Sequence, residues 1–230
     1  MNDEIAHNLA TVQQRIRAAA RRYNRSPDDI TLLAVTKTVD AARIRQAYAC
    51  GQTQFGENYL QEALTKIAEL KDLPIEWHFI GRIQSNKTKP VAESFAWVHG
   101  VERIRIAERL SAQRPSAAPP LNVCIQFNVS AESSKGGVSD SELAELASAV
   151  SELPRLRLRG LMALPAPAHS FDAQRVAFHR VAAAREMLRD KGFLLDTLSM
   201  GTSEDLEAAI AEQSTLVRVG SAIFGRRPLK

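Results

Sequence analysis

The feature that most constrains the fold is an alternation of short apolar strands with helical segments, repeated about eight times along the 230 residues. Strand patterns lie at 30–38, 53–57, 75–81, 96–99, 121–129, 156–163, 194–199 and 216–220. Such alternation is typical of a parallel sheet covered by helices. Eight units in a chain of this length predict a single α/β domain over residues 1–230, a (β/α)8 TIM barrel. An open doubly wound sheet is the alternative interpretation.

An additional helix is predicted before the first strand. Apolar residues recur there at steps of four and three, at Ile5, Leu9, Val12, Ile16, Ala19 and Tyr23. That spacing gives an amphipathic helix with one face to bury. We therefore expect residues 1–25 to form an N-terminal helix packed on the barrel.

Composition narrows the classes of function. Apolar residues make up 45% and charged residues 24%, and the net charge of +4 is spread along the chain without a basic-aromatic array. Nucleic acid is therefore not an expected partner. The two cysteines lack a metal-ligand spacing, and no apolar stretch is long enough to cross a bilayer. We expect a cytoplasmic protein without metal or membrane contact. No apolar heptad seam is evident, so we also expect a monomer.

Lys37 is the first candidate functional residue, because an apolar β-branched strand ends there in a single cation. A lysine at the half-buried rim of a barrel has its charged form disfavoured, and a neutral amine attacks aldehydes. A Schiff base is the chemistry that such a site supports. The alternative is an ordinary surface lysine at a strand end.

Further candidates lie at the ends of the last two strands. Gly220 followed by Ser221, together with Ser203, fits the phosphate site that many barrels carry there. Ser203 is equally a candidate N-cap of a helix over 203–213. Arg218 alternates with two valines and is predicted to point into the barrel, unless it serves a salt bridge. Glu57 and His78 are a possible acid and base, although no signal in the sequence brings them together.

These stretches resemble the pyridoxal phosphate-binding homeostasis protein family, also called the proline synthetase co-transcribed homologues. The resemblance is carried by Ala34-Val35-Thr36-Lys37, Phe55-Gly56-Glu57-Asn58-Tyr59, His78 to Lys87, Gly160-Leu161-Met162-Ala163, Ser199-Met200-Gly201 and Val217 to Gly225. It runs from Leu33 to Gly225 and covers nearly the whole chain. It implies a barrel like the N-terminal domain of alanine racemase, which is the fold-type III arrangement of pyridoxal phosphate (PLP) proteins.

The resemblance also implies residue roles. Lys37 would carry PLP as a Schiff base, and Asn58 would lie beside the cofactor. Four residues would surround the phosphate: Met200, Ser203, Gly220 and Ser221. Arg218 would face the pyridine nitrogen, and such a partner does not readily protonate the ring. One departure is Thr202, where a second methionine is expected.

The resemblance implies a PLP-binding protein that takes part in intracellular PLP and amino- and keto-acid homeostasis, passes PLP transiently to apo-enzymes, and lacks robust catalysis. A PLP-dependent amino-acid racemase is the first alternative. A barrel that binds a phosphate ligand or nucleic acid, without a Schiff base, is the second. Lys135, in a loop predicted near the same rim, is a candidate second PLP site, and a solvated loop lysine is its alternative.

Overall fold

The computed structural model describes residues 2–130 and 136–225. Within these residues, eight parallel strands close into a barrel in sequence order, β1 to β8. They are β1 Thr31–Val35, β2 Gln54–Glu57, β3 Glu76–Phe79, β4 Trp97–Val101, β5 Leu121–Gln126, β6 Leu156–Met162, β7 Thr197–Ser199 and β8 Leu216–Val219. The first and last strands pair directly, with Leu33 opposite Arg218. The predicted (β/α)8 barrel is confirmed, and the open-sheet alternative is wrong.

Helices cover the outside of the barrel. They are α1 Asn2–Arg22, α2 Ala41–Ala49, α3 Leu60–Glu69, α4 Thr88–Ser94, α5 Ile104–Gln113, α6 Asp140–Ser151, α7 Phe171–Asp190, α8 Leu206–Ala211 and α9 Ser221–Phe224. The main hydrophobic core lies between this layer and the strands. Inside the barrel, two smaller clusters fill the lumen: Leu33, Val35, Ile80 and Leu216 in one, and Trp97, Cys124 and Met162 in the other.

The N-terminal helix α1 packs against α8 and α9. The apolar stripe that predicted this helix is buried, as Ile5 and Val12, each 1% exposed, illustrate. Burying a large aliphatic side chain contributes about 1.5–3 kcal/mol, so a stripe of this length is enough to hold the helix in place. A polar contact also fixes the orientation of α1 against α9, since Asn8 Nδ2 donates to the carbonyl oxygen of Ile223 at 2.9 Å.

Several element boundaries differ from those predicted. The helix after β7 begins at Leu206 rather than at residue 203, because Asp205 Oδ1 accepts from both the backbone N–H (2.6 Å) and the hydroxyl (2.8 Å) of Thr202 and holds a turn there. Helix α4 begins at Thr88, so Pro90 lies in its first turn, where a missing N–H removes no intrahelical bond. Strand β5 ends at Gln126 rather than at residue 129.

Candidate functional site

The carboxyl ends of the strands surround a cavity of about 640 Å³. Parallel strands in a closed barrel end at one rim, so residues far apart in sequence meet there. Six of the seven predicted site residues line this cavity: Lys37, Asn58, Ser203, Arg218, Gly220 and Ser221. The structure therefore brings the candidate amine, the two hydroxyls and the arginine to one place.

Lys37 lies two residues after the end of β1 and is half-buried. Side chains alternate along a strand, so Val35 and Lys37 face the cavity and Thr36 faces the surrounding helices. Gly220 Cα approaches this strand closely, since a Cβ built there would lie 3.2 Å from the carbonyl oxygen of Val35. The last and first strands thus meet tightly at the wall that carries the lysine.

The two hydroxyl groups form a pair where the segment after β8 meets the loop after β7. Ser221 Oγ lies 3.2 Å from Ser203 Oγ, and the backbone N–H of Ala222 donates to Ser203 Oγ at 3.4 Å. Ser203 is not a helix N-cap, because Asp205 holds that position for α8. Its hydroxyl therefore points to the last strand and the cavity rather than to its own helix.

Met200 is the predicted site residue that does not line the cavity. Its side chain is fully buried in the main hydrophobic core. Strand alternation explains the difference, because its neighbour Ser199 faces the lumen and Met200 must then face the helices. Thr202, the departure from the family pattern, does line the cavity, but its backbone N–H is already donated to Asp205.

Arg218 points into the barrel, as the flanking valines predicted, and is only 4% exposed. Its guanidinium donates to the hydroxyl of Ser199 at 2.7 Å, to the carbonyl oxygen of the same residue, and to the carbonyl oxygen of Ala163 at 2.9 Å. These neutral acceptors, rather than a paired carboxylate, hold the charge. Burial lowers the pKa of Arg218 to about 10, which still leaves it cationic near neutral pH.

A row of buried polar side chains continues from Arg218 through the lumen. Ser199 Oγ lies 2.8 Å from His99 Nδ1, and His99 Nε2 lies 3.0 Å from His78 Nδ1. The row ends at Glu76, 3.1 Å from His78 Nε2 at the opposite rim. Burial lowers the pKa of both histidines, so they are neutral imidazoles near neutral pH.

Glu57 and His78 do not form an acid–base pair. His78 lies inside the barrel, whereas Glu57 faces the helix layer, where Lys66 Nζ donates to its Oε1 at 2.8 Å. No sequence signal identified Lys66, Ser199 or His99 as partners of site residues, because each contact depends on strand register or helix packing.

Asn58 follows β2 and lines the cavity beside Ile80. Its Oδ1 is buried and has no hydrogen-bond partner among the described residues. A buried amide oxygen costs free energy unless a ligand or water satisfies it. This atom is therefore an unsatisfied acceptor on a residue that lines the cavity.

Three other sequence-based expectations concern Lys135, a metal site and a membrane-spanning helix. Lys135 lies outside the described residues. Among the described residues, no cluster of His, Cys, Asp or Glu could hold a metal ion. None of the helices in that same part of the chain is long and apolar enough to span a membrane.

The barrel carries a lysine after its first strand and an inward arginine on its last. The model of the alanine racemase N-terminal domain family matches residues 2–228, which places the chain in the alanine racemase class of barrel proteins. Within that class, the chain belongs to the pyridoxal phosphate homeostasis protein family. It is 59% identical over 223 residues to the pyridoxal phosphate homeostasis protein of Pseudomonas aeruginosa, covering 97% of this chain and 96% of that one. It is 56% identical over 230 residues to that of Escherichia coli, covering 99% and 98%.

Solved structures agree with this placement. PipY of Synechococcus elongatus, solved with PLP bound, superposes with a TM-score of 0.85 at 34% identity, covering 96% of this chain and all (100%) of that one. Alanine racemase of Corynebacterium glutamicum shares the fold, with a TM-score of 0.67 and 21% identity over 99% of this chain and 61% of the racemase.

Proposed function

We propose that this protein binds pyridoxal 5′-phosphate, holds it as a Schiff base on Lys37, and takes part in PLP and amino- and keto-acid homeostasis without robust catalysis of its own. The observation that carries the proposal is the placement of Lys37, the Ser203–Ser221 pair and Arg218 around one cavity of about 640 Å³. The names of the relatives and the PLP bound to PipY support the same cofactor.

The residues present fit the three chemical groups of PLP. When bound, the cofactor supplies an aldehyde, whose carbon forms an imine with a lysine amine and releases one water. Lys37, two residues after the end of β1, supplies an amine to the lining of the cavity. The hydroxyls of Ser203 and Ser221 offer hydrogen bonds to a phosphate, and the backbone at Gly220 leaves room for it. Asn58 Oδ1, which has no hydrogen-bond partner among the described residues, would be an acceptor for a polar group of the cofactor.

Arg218 explains why binding need not lead to turnover. Its pKa of about 10 keeps it cationic near neutral pH. An arginine in that state donates a hydrogen bond to a ring nitrogen but does not readily give up its proton, so the ring is a weak electron sink. We propose that Arg218 holds the ring and restrains carbanion chemistry.

We further propose that the protein acts as a monomer in the cytoplasm and passes PLP to apo-enzymes. The monomeric state is supported by the fact that one chain supplies the site residues that line the cavity: Lys37, Asn58, Ser203, Arg218 and Ser221. The compartment is supported by Cys50, which is an exposed free thiol of the kind that persists where the surroundings are reducing.

Absorbance spectroscopy tests the cofactor and its attachment. We expect purified protein with added PLP to show a Schiff-base band, and borohydride reduction followed by peptide mapping to place the adduct on Lys37. Lys37→Ala removes the band, whereas Lys71→Ala, which changes an exposed lysine, leaves it unchanged. A colourless wild type, or an adduct on another lysine, contradicts the proposal.

Turnover separates this function from that of a racemase. We expect no sustained racemisation of any amino acid by the PLP-loaded protein above the background of Lys37→Ala. Sustained racemisation that Lys37→Ala abolishes would instead establish an enzyme, and the alanine racemases would then be relatives in activity as well as in fold.

A further inference from the structure

The peptide groups on both sides of Lys37 are held by side chains of one helix, α3. Lys66 Nζ donates to the carbonyl oxygen of Thr36 at 2.6 Å. The backbone N–H of Thr38 donates to Glu62 Oε1 at 2.5 Å. Thr36 and Thr38 are the immediate neighbours of Lys37, so its backbone is fixed before and after the residue.

The two helix residues are joined to each other and to the barrel wall. Lys66 is only 6% exposed and also donates to Glu57 Oε1 and to Glu62 Oε1. Glu57 is fully buried at the end of β2, and Thr36 Oγ1 donates to its Oε1 at 2.6 Å. A buried lysine is tolerated only when its charge is paired and its protons are hydrogen-bonded. Here all its observed acceptors lie around the backbone of Lys37.

The backbone after Lys37 needs such support. Thr38 has φ of +65°, a left-handed conformation that disfavours β-branched residues. Strain of this kind persists where surrounding contacts over-determine the geometry, and it is common at functional sites. The hydrogen bond to Glu62 is one such contact, and it fixes the direction in which the chain leaves the lysine.

We propose that Glu57, Glu62 and Lys66 form a clamp that positions the amine of Lys37 toward the cavity for bonding to an aldehyde. The inference rests on the proposed function, in which Lys37 forms the Schiff base. The clamp lies in the barrel wall on the side of Thr36, away from the cavity, so these residues act through the backbone of Lys37.

Two ligands distinguish positioning from a general structural role. PLP bonds to Lys37, whereas pyridoxine 5′-phosphate carries an alcohol in place of the aldehyde and binds without that bond. If the clamp positions the amine, its loss weakens Schiff-base formation and leaves binding of pyridoxine 5′-phosphate nearly unchanged. If the clamp only supports the fold, both ligands weaken together.

The main variant is Glu62→Ala, because this side chain is 29% exposed and its removal leaves Lys66 paired with Glu57. We expect the affinity measured from the Schiff-base band to fall about tenfold, the effect of losing one hydrogen bond to a charged acceptor. Affinity for pyridoxine 5′-phosphate should change less than about twofold. Glu62→Gln keeps an oxygen for the N–H of Thr38 and should restore most of the loss. Glu69→Ala, an exposed carboxylate on the same helix, is the matched control.

A second variant replaces both members of the buried pair, so that neither Glu57 nor Lys66 remains as an unpaired buried charge. Glu57→Gln combined with Lys66→Met should show the same selective loss of the Schiff base, with thermal unfolding measured alongside. Unchanged Schiff-base affinity in Glu62→Ala, or parallel loss for both ligands, overturns the clamp while the adduct on Lys37 in the wild type stands. Absence of that adduct in the wild type overturns the proposed function itself.

Discussion

The guanidinium of Arg15, in the N-terminal helix, donates a hydrogen bond to the carbonyl oxygen of Ser203, on the loop after β7, at 3.0 Å. The same guanidinium forms an ion pair with Glu207 on α8, with Nε 2.7 Å from Oε1. Asn8 holds the carbonyl oxygen of Ile223, two residues beyond Ser221. Helix α1 therefore anchors both segments that carry the hydroxyl pair.

The first prediction concerns this anchor. Arg15→Ala should free the loop at Ser203 and weaken PLP binding about fivefold, because one hydrogen bond and one partly exposed ion pair are lost. Binding of pyridoxal, which has no phosphate, should change less than about twofold. Titration of the Schiff-base band with both ligands measures the difference. Arg17→Ala, an exposed arginine on the same helix, is the control, and equal weakening of both ligands would disprove the link to the phosphate.

The second prediction concerns the hydroxyl pair itself. Ser221→Ala removes one hydrogen bond to a charged phosphate, which should lower affinity for PLP about tenfold. The borohydride adduct should remain on Lys37, because the substitution leaves that amine in place. Ser116→Ala, in an exposed loop, should bind as the wild type does. Undiminished PLP affinity in Ser221→Ala would place the phosphate elsewhere.

The third prediction concerns the pH dependence of stability. Burial raises the pKa of the Glu57 carboxyl above its usual range, outweighing the hydrogen bonds from Lys66 and Thr36. The folded state therefore binds this proton more tightly than the unfolded chain. The stabilisation that the Glu57 carboxyl gives the folded state is fully present below its pKa in the unfolded chain. It is lost as pH rises through its higher pKa in the folded state.

Glu57→Gln does not titrate, so its free energy of unfolding relative to the wild type should increase as pH rises above the range in which an ordinary carboxyl titrates. Urea unfolding as a function of pH measures it. Glu108→Gln, at an exposed carboxylate, is the matched control variant. A difference for Glu57→Gln that falls with pH would mean that pairing with Lys66, rather than burial, governs the carboxyl.

The fourth prediction concerns Gly81, which lies after β3 and packs closely against the backbone of Asn58. A Cβ at Gly81 would lie 2.1 Å from the carbonyl oxygen of Asn58, so Gly81→Ala must displace the backbone beside the cavity. We expect a loss of about 2–3 kcal/mol in the free energy of unfolding, together with weaker PLP binding. At Gly56 the nearest atoms are methyl carbons of Leu33 and Ile80, at 3.0 and 3.3 Å, which can shift. Gly56→Ala should therefore cost less, about 1 kcal/mol, and thermal unfolding of the two variants compares them.

Much of the fold followed from local patterns. Alternation of Val217, Arg218 and Val219 was enough to predict an inward arginine, because a strand has only two faces. Lys37 could be singled out because a single cation ends an apolar strand. The common rim of parallel strands then accounts for the cavity that these residues share.

The contacts that support those residues could not be predicted in the same way. His99 and Ser199 are 100 positions apart, and their contact depends on the register of every strand between them. The bond from Lys66 to Thr36 depends on how α3 packs against β1. Met200 came from family resemblance alone, and alternation directs its side chain into the core.

The hydrogen bonds of Arg218 affect how easily a ligand can leave the cavity. Ser199 and Ala163 satisfy the guanidinium with protein atoms alone, so the departure of a ligand leaves no buried cation without acceptors. The pocket can keep one arrangement whether loaded or vacant, and little rearrangement opposes either direction of exchange. Reversible binding is favoured when the buried cation at the site has its own protein acceptors and does not depend on the ligand for them.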